Sequence, residues 1–146
     1  MNNTDDANSL NSPANEPPPP LKILLADDMP MNIDLAVKLL TRRGHKVTAV
    51  ENGQQAVETF QRETFDVILM DVHMPIADGL EATRAIRALE AGQSHIPIIA
   101  MTANNDESDK EDCRSAGMDG FITKPIEIKT IVSTIREIIK NTKERL

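Results

Sequence analysis

The sequence predicts an α/β fold, a parallel five-stranded sheet covered by helices on both faces. Three observations carry that expectation. Five short apolar runs alternate with five segments whose apolar residues recur at helical spacing. The connections are brief, which forces parallel pairing with right-handed crossovers. The runs are apolar almost without interruption, as in strands buried on both sides.

Residues 1–20 are rich in Asn, Asp, Ser and Pro and end on Pro17-Pro18-Pro19-Pro20. They show no apolar periodicity, so a disordered tail or linker with a short polyproline spacer is expected. A linker from an upstream domain, a ligand for a Pro-binding module and a plain solvated tail all fit. One folded domain is expected over 21–143, with a tail at 144–146.

The first strand is Leu21 to Ala26, ending at Asp27-Asp28. Pro30 suits a first helical turn. Ile33, Ala36, Val37 and Leu40 form one buried helical face, and Gly44 closes the helix. A second strand spans Lys46 to Val50, and Asn52-Gly53 makes the turn. Ala56, Val57 and Phe60 mark the second helix. Phe65 to Met70 is the third strand, with Asp71 at its tip. Asp78-Gly79 opens a third helix, from Leu80 to about Leu89, with Leu80, Thr83 and Ile86 facing inward. The fourth strand, Ile96 to Met101, ends at Thr102. A weak helix from about Glu107 to Ala116 has the poorest core signal in the chain and is expected to be short and mobile. Gly117 ends it, Gly120 to Thr123 is the fifth strand, and Lys124-Pro125 follows. Ile128, Ile131, Val132, Ile135, Ile138 and Ile139 mark the last helix.

Composition narrows the function. At 146 residues and 40% hydrophobic, the chain suits one domain with a real core. It has three Phe and no Trp or Tyr, so the core is aliphatic and no platform exists for stacking single-stranded nucleic acid. A net charge of -7 argues against a direct nucleic-acid surface. The single cysteine, Cys113, excludes an internal disulfide and a Cys-x-x-Cys zinc pair. No apolar run approaches the ~18 residues of a membrane span, and the first residues lack a signal pattern. A soluble cytoplasmic protein without membrane contact is the expectation.

Four of the five strands end in a reactive polar group: Asp27 and Asp28, Asp71, Thr102, Lys124. All fall on the carboxyl edge of one parallel sheet, where ligands bind in open α/β folds. Each alone reads equally well as a cap or turn former. Together they are harder to set aside. Adjacent carboxylates repel unless a cation joins them. Oxygen ligands suit a hard cation such as Mg²⁺. An Asp beside such a cation can act as a nucleophile toward phosphorus. A hydroxyl and an ammonium would hold the remaining phosphoryl oxygens.

With these residues in order, the chain resembles the receiver domains of two-component response regulators. The likeness covers about Leu21 to Lys143 and rests on Asp27-Asp28, Asp71, Asp78-Gly79, Thr102 and Lys124-Pro125. It implies a flavodoxin-like sheet of order 2-1-3-4-5 and a set of roles. Asp71 would accept the phosphoryl group. Asp28, Asp71 and the backbone carbonyl of His73 would ligate Mg²⁺ or Mn²⁺, with Asp27 acting mainly through water. Thr102 and Lys124 would bind the phosphoryl group, and Phe121 would stand at the aromatic switch position. Thr102 moving inward would favour an inward Phe121 rotamer and alter the surface of the fourth and fifth helices. Lys124-Pro125 is often cis in such domains. His73 and Asn104 occupy positions that adjust phosphoryl lifetime. Ala77 departs from the commoner Met. The implied partner is a histidine kinase or a histidine phosphotransfer domain. The chain would be a stand-alone regulator or a segment of a hybrid histidine kinase; Thr102-Ala103-Asn104 and the Pro-rich leader favour the second.

Blander readings stand beside these. Met31, Leu35 and Leu39 form a second stripe on the first helix, which is either partial burial or a docking surface for the phosphohistidine donor. His45, His73 and His95 read as surface residues, His73 being singled out by its place beside Asp71. Cys113 reads as a packing residue. A Mg²⁺-dependent aspartyl-phosphate phosphatase is a competing reading, but such enzymes usually carry a second Asp where His73 stands, and a cap domain. An interaction module that is never phosphorylated would leave the acidic site without a reason.

Overall fold

A computed structural model of the chain describes residues 20–74, 78–103 and 106–145. Pro75, Ala77, Asn104 and the leader before Pro20 lie outside these residues, so the expectations placed on them have no structural counterpart.

Strands and helices alternate: β1 (Lys22–Ala26), α1 (Pro30–Arg42), β2 (Lys46–Val50), α2 (Gly53–Arg62), β3 (Val67–Asp71), α3 (Gly79–Glu90), β4 (Ile98–Thr102), α4 (Glu107–Ala116), β5 (Gly120–Thr123) and α5 (Ile128–Arg145). The sheet is parallel, in the order β2-β1-β3-β4-β5. Its two faces bury separate clusters. Leu24, Ile68, Met70 and Ala100 pack with Ala56 of α2, Ala82 and Ile86 of α3, and Cys113 of α4. Ile23, Leu25, Leu69, Met101 and Ile122 pack with Ala36 and Leu40 of α1 and Ile131, Ile135 and Ile138 of α5. The period-2 alternation of strand side chains sends neighbours to opposite layers, giving a three-layer sandwich.

Several boundaries shift by a residue or two. β4 starts at Ile98 rather than Ile96, since Pro97 has no N–H and the Ile98 N–H is taken by the Asp119 carboxylate at 2.9 Å. β3 starts at Val67, because Asp66 instead accepts the Lys22 N–H at 2.8 Å. Asn52 caps α2, accepting from Gln55 N–H at 2.9 Å, while Asp78 and Asp106 cap α3 and α4 in the same way. The weak α4 buries only Cys113 and Ala116, as its poor core signal foretold.

Two histidines correct the expectation of exposure. His45 is buried where α1 turns into β2, and its Nδ1 accepts the Leu21 N–H at 3.1 Å. Burial, then the nearby Arg43, lower its pKa. His95 is half-buried, with Nε2 at 2.6 Å from Asp119 Oδ1. That contact belongs to a polar cluster at the amino ends of β4 and β5. Arg87 donates there to the Gly117 and Ile96 carbonyls and to Glu90 and Asp119, at 2.7 to 2.9 Å. His73 is exposed, as expected.

Candidate functional site

The strand order decides what meets at the carboxyl edge. β1 and β3 are neighbours with Ala26 opposite Met70, so Asp27 and Asp71 emerge side by side. β3 pairs with β4 at Asp71 and Met101, and β4 pairs with β5 at Thr102 and Thr123. The chemistry-bearing residues thus leave adjacent strands at one crevice.

Asp27, Asp28 and Asp71 each present a carboxylate oxygen within 4.8 Å of the others. Asp27 and Asp71 are buried and Asp28 is exposed, so the cluster has a floor and an open rim. Lys124 Nζ reaches into it, 3.3 Å from Asp27 Oδ2 and 3.2 Å from Asp71 Oδ2. The Lys124-Pro125 peptide is cis. Local bonds aim the two buried acids. Asp27 Oδ1 accepts the Met29 N–H at 2.9 Å, and Asp71 Oδ1 accepts the His73 N–H at 3.2 Å.

Charge is under-compensated here. Burial raises the Asp71 pKa; Lys124 opposes this and Asp27 adds to it, leaving the carboxyl above its ordinary range. For Lys124, burial lowers the pKa, but the Asp71 and Asp27 carboxylates raise it by more. The asymmetry is physical: one ammonium is attracted by two acids, while each acid shares that ammonium with the other. Asp27 Oδ2 is buried and has no well-aligned hydrogen-bond donor, despite its closeness to Lys124. Two buried carboxylates and an exposed third, sharing one lysine between them, fit a hard divalent cation with oxygen ligands.

Thr102 is buried at the tip of β4. The register puts it on the same sheet face as Phe121. Phe121 is half-buried, and Lys110 Nζ and the Arg114 guanidinium of α4 lie 5.6 and 5.4 Å from its ring centre. Reasoning from sequence missed these two cations, since α4 carried no readable inner face. It also missed Met29. Met31 is 79% exposed, Met29 51% and Leu35 44%, whereas Leu39 is half-buried. Met29 and Met31, within three residues of Asp28, were the available signal.

A parallel 2-1-3-4-5 sheet with an acidic triad, a threonine and a lysine on its carboxyl edge defines a receiver-type α/β domain. Comparison with known proteins agrees. The model of the response regulator receiver domain matches residues 23–136, and the chain belongs to that family. It is 44% identical over 122 residues to hybrid signal transduction histidine kinase I of Dictyostelium discoideum, covering 80% of this chain and 7% of that protein. It is 44% identical over 116 residues to sensor protein GacS of Pseudomonas syringae pv. syringae, covering 78% of this chain and 13% of that one. The chain thus spans a small fraction of these relatives. Among solved structures it resembles the receiver domain of sensor histidine kinase PA1611 from Pseudomonas aeruginosa PAO1, which has a magnesium ion coordinated in its active site cleft. That likeness has TM-score 0.76 and 39% identity, over 84% of this chain and 99% of that one. Chemotaxis protein CheY4 of Vibrio cholerae shares the fold at TM-score 0.76 and 27% identity, over 82% and 99% of the two chains. This is a two-component signalling domain of the flavodoxin-like fold. Among the described residues, no helix is long and apolar enough to cross a membrane.

Proposed function

We propose that this chain is a phosphoacceptor in a phosphorelay, taking a phosphoryl group onto Asp71 from a phosphohistidine on a histidine kinase or histidine phosphotransfer domain. The observation that carries the reading is the buried pair Asp27 and Asp71 joined by Lys124, with Asp28 on the rim. Asp28, Asp71 and the His73 carbonyl would hold Mg²⁺ (or Mn²⁺), with Asp27 acting through water. Bound there, the ion would supply charge compensation for the phosphoryl oxygens.

The chain's own residues do the rest. Asp71 Oδ attacks phosphorus as the P–N bond to the donor imidazole breaks, and the imidazole keeps the electron pair. Lys124 moves from its contact with Asp71 to a phosphoryl oxygen, an ammonium suited to that charge. The Thr102 hydroxyl donates to another oxygen. The new phosphate adds roughly -1.5 to -2 charge at pH 7. Thr102 is drawn inward, Phe121 follows on the same sheet face, and the surface around α4 and α5 changes. The domain is a signalling acceptor that assists its own transfer and hydrolysis rather than a turnover enzyme.

Residues 21–143 form the receiver unit in this reading, with 1–20 a leader or linker and 144–146 a tail. The relatives support a place within hybrid histidine kinase signalling; a cytoplasmic location without direct nucleic-acid contact is part of the same proposal. The exposed Met31 and Leu35, with Leu39 beside them, form the donor's docking surface. Incubation with a phosphorylated histidine phosphotransfer domain and Mg²⁺ tests the reading. Label moves to the chain, and chelation stops it. Leu35→Asp blocks transfer from the protein donor and spares labelling by acetyl phosphate; equal loss with both donors counts against the docking surface.

A further inference from the structure

The geometry points to Gly79 as a positioning residue for Asp71, an inference that rests on the phosphoacceptor reading. Gly79 opens α3, and its backbone is not in the left-handed region, unlike that of Gly44, Gly92 and Gly117. Conformational freedom therefore does not call for glycine here; space does. A Cβ at this position would overlap the Asp71 carbonyl oxygen, and would lie 3.0 Å from the Asp71 carbonyl carbon and 2.9 Å from Met70 Cγ. Met70 is a side chain that can swing aside. The Asp71 carbonyl is backbone and moves only if its whole peptide turns.

Something must yield; the Asp71-Val72 peptide is held at the end of the β3 ladder, by Val72 N–H to the Met101 carbonyl at 3.1 Å, while the start of α3 is held from several sides. Thr83 Oγ1 donates to the Gly79 carbonyl at 2.7 Å within the core. Asp78 caps the Glu81 N–H at 2.9 Å, and Ala82 and Ile86 are packed beneath the sheet. Gly79 N–H itself donates to the Val72 carbonyl at 3.0 Å, which staples the helix onto the tip of β3. A side chain at 79 would turn the Asp71-Val72 peptide. That peptide leads to the His73 N–H, which orients Asp71 Oδ1 at 3.2 Å. The carboxylate would then leave its place beside Asp27, Asp28 and Lys124. Gly79 acts through the backbone and touches no substrate.

The test compares wild type, Gly79→Ala and Gly120→Ala. Gly120 is also crowded, but its Cβ would press only on the end of the Ile138 side chain, at 3.0 Å, and it opens the edge strand β5 away from the acidic cluster. Mg²⁺ titrations followed by amide NMR shifts give the half-saturating concentration. Intact-mass time courses with acetyl phosphate give the labelling rate at saturating Mg²⁺, and melting curves give stability. Gly79→Ala raises the half-saturating Mg²⁺ and slows labelling by roughly 10- to 100-fold, as displacements near an ångström do. Gly120→Ala loses stability and keeps both wild-type values. A folded Gly79→Ala with wild-type Mg²⁺ response and labelling overturns the inference, as does an equal effect at Gly120. Should Gly79→Ala not fold, Thr83→Val decides. It keeps Gly79 but frees its carbonyl, and a severalfold rise in half-saturating Mg²⁺ supports the inference while an unchanged value overturns it. A wild-type chain that binds Mg²⁺ and is never labelled sinks the phosphoacceptor reading, while the Mg²⁺ titrations still decide the role of Gly79.

Discussion

Lys124 Nζ lies 3.2 Å from Asp71 Oδ2 and bridges to Asp27 Oδ2 at 3.3 Å, so one ammonium holds two buried carboxylates together. Removing it leaves both acids without a cation. Lys124→Met is expected to destabilise the metal-free domain by about 1–3 kcal/mol, read from urea unfolding. The sign at high pH is fixed. The folded-state pKa of Lys124 is raised above its ordinary 10.5, so its contribution is complete below that pH and is lost as pH rises through the folded value. Alkaline unfolding of wild type above pH 10.5, absent as a separate slope in Lys124→Met, checks this.

Asp71 carries the opposite cost. Its folded pKa is raised, chiefly by burial, so the ionised form is disfavoured in the folded state relative to the unfolded chain. Metal-free wild type therefore gains stability as pH falls through that raised value toward the ordinary 3.8. Asp71→Asn removes the slope and should raise stability at neutral pH by about 0.5–2 kcal/mol. Mg²⁺ reverses the ranking, because it stabilises the chain that binds it more tightly. Melting temperatures with and without Mg²⁺ measure both effects. An Asp71→Asn less stable than wild type without metal contradicts this view of the site.

Phe121 is flanked by Lys110 and Arg114 of α4, each within cation–π range. Such contacts are worth about 0.5–1 kcal/mol each at exposed sites. Lys110→Ala with Arg114→Ala should loosen the outer position of the ring. Methyl and aromatic NMR signals around Thr102 and Phe121 should then move partway toward those of the beryllofluoride-loaded wild type. Signals unmoved in the double variant would show that the cations do not hold the ring.

The cluster at the other end of the sheet is structural in the same currency. Glu90 and Asp119 are largely buried and both pair with Arg87. Arg87→Ala takes the guanidinium from two buried acids, leaving Asp119 with His95 and the Ile98 N–H and Glu90 with the Ile96 N–H, and frees the Gly117 carbonyl. A loss of about 3–5 kcal/mol is expected in urea unfolding.

Much of this was legible in the sequence because strand runs and helical stripes are local signals. α5 announced itself through Ile131, Ile135 and Ile138, all buried. The candidate site was legible because four of the five strands end at or next to a polar residue of the cluster. What stayed hidden was long-range. Arg87 meets Gly117 and Asp119 across more than a quarter of a hundred residues of chain, with no pattern to join them. His45 looked like a surface residue, since nothing local shows that its ring would accept from Leu21. Gly79 read as an ordinary helix start, because the pressure against a side chain comes from Asp71 on another element.

The central claim is that Asp71 accepts the phosphoryl group. Intact-mass measurement after incubation with acetyl phosphate and Mg²⁺ tests it most directly, with Asp71→Asn alongside. Wild type gains the mass of a single phosphoryl group, lost on chelation of Mg²⁺ before incubation, and Asp71→Asn gains none. Equal labelling of both proteins, or of neither, contradicts the account.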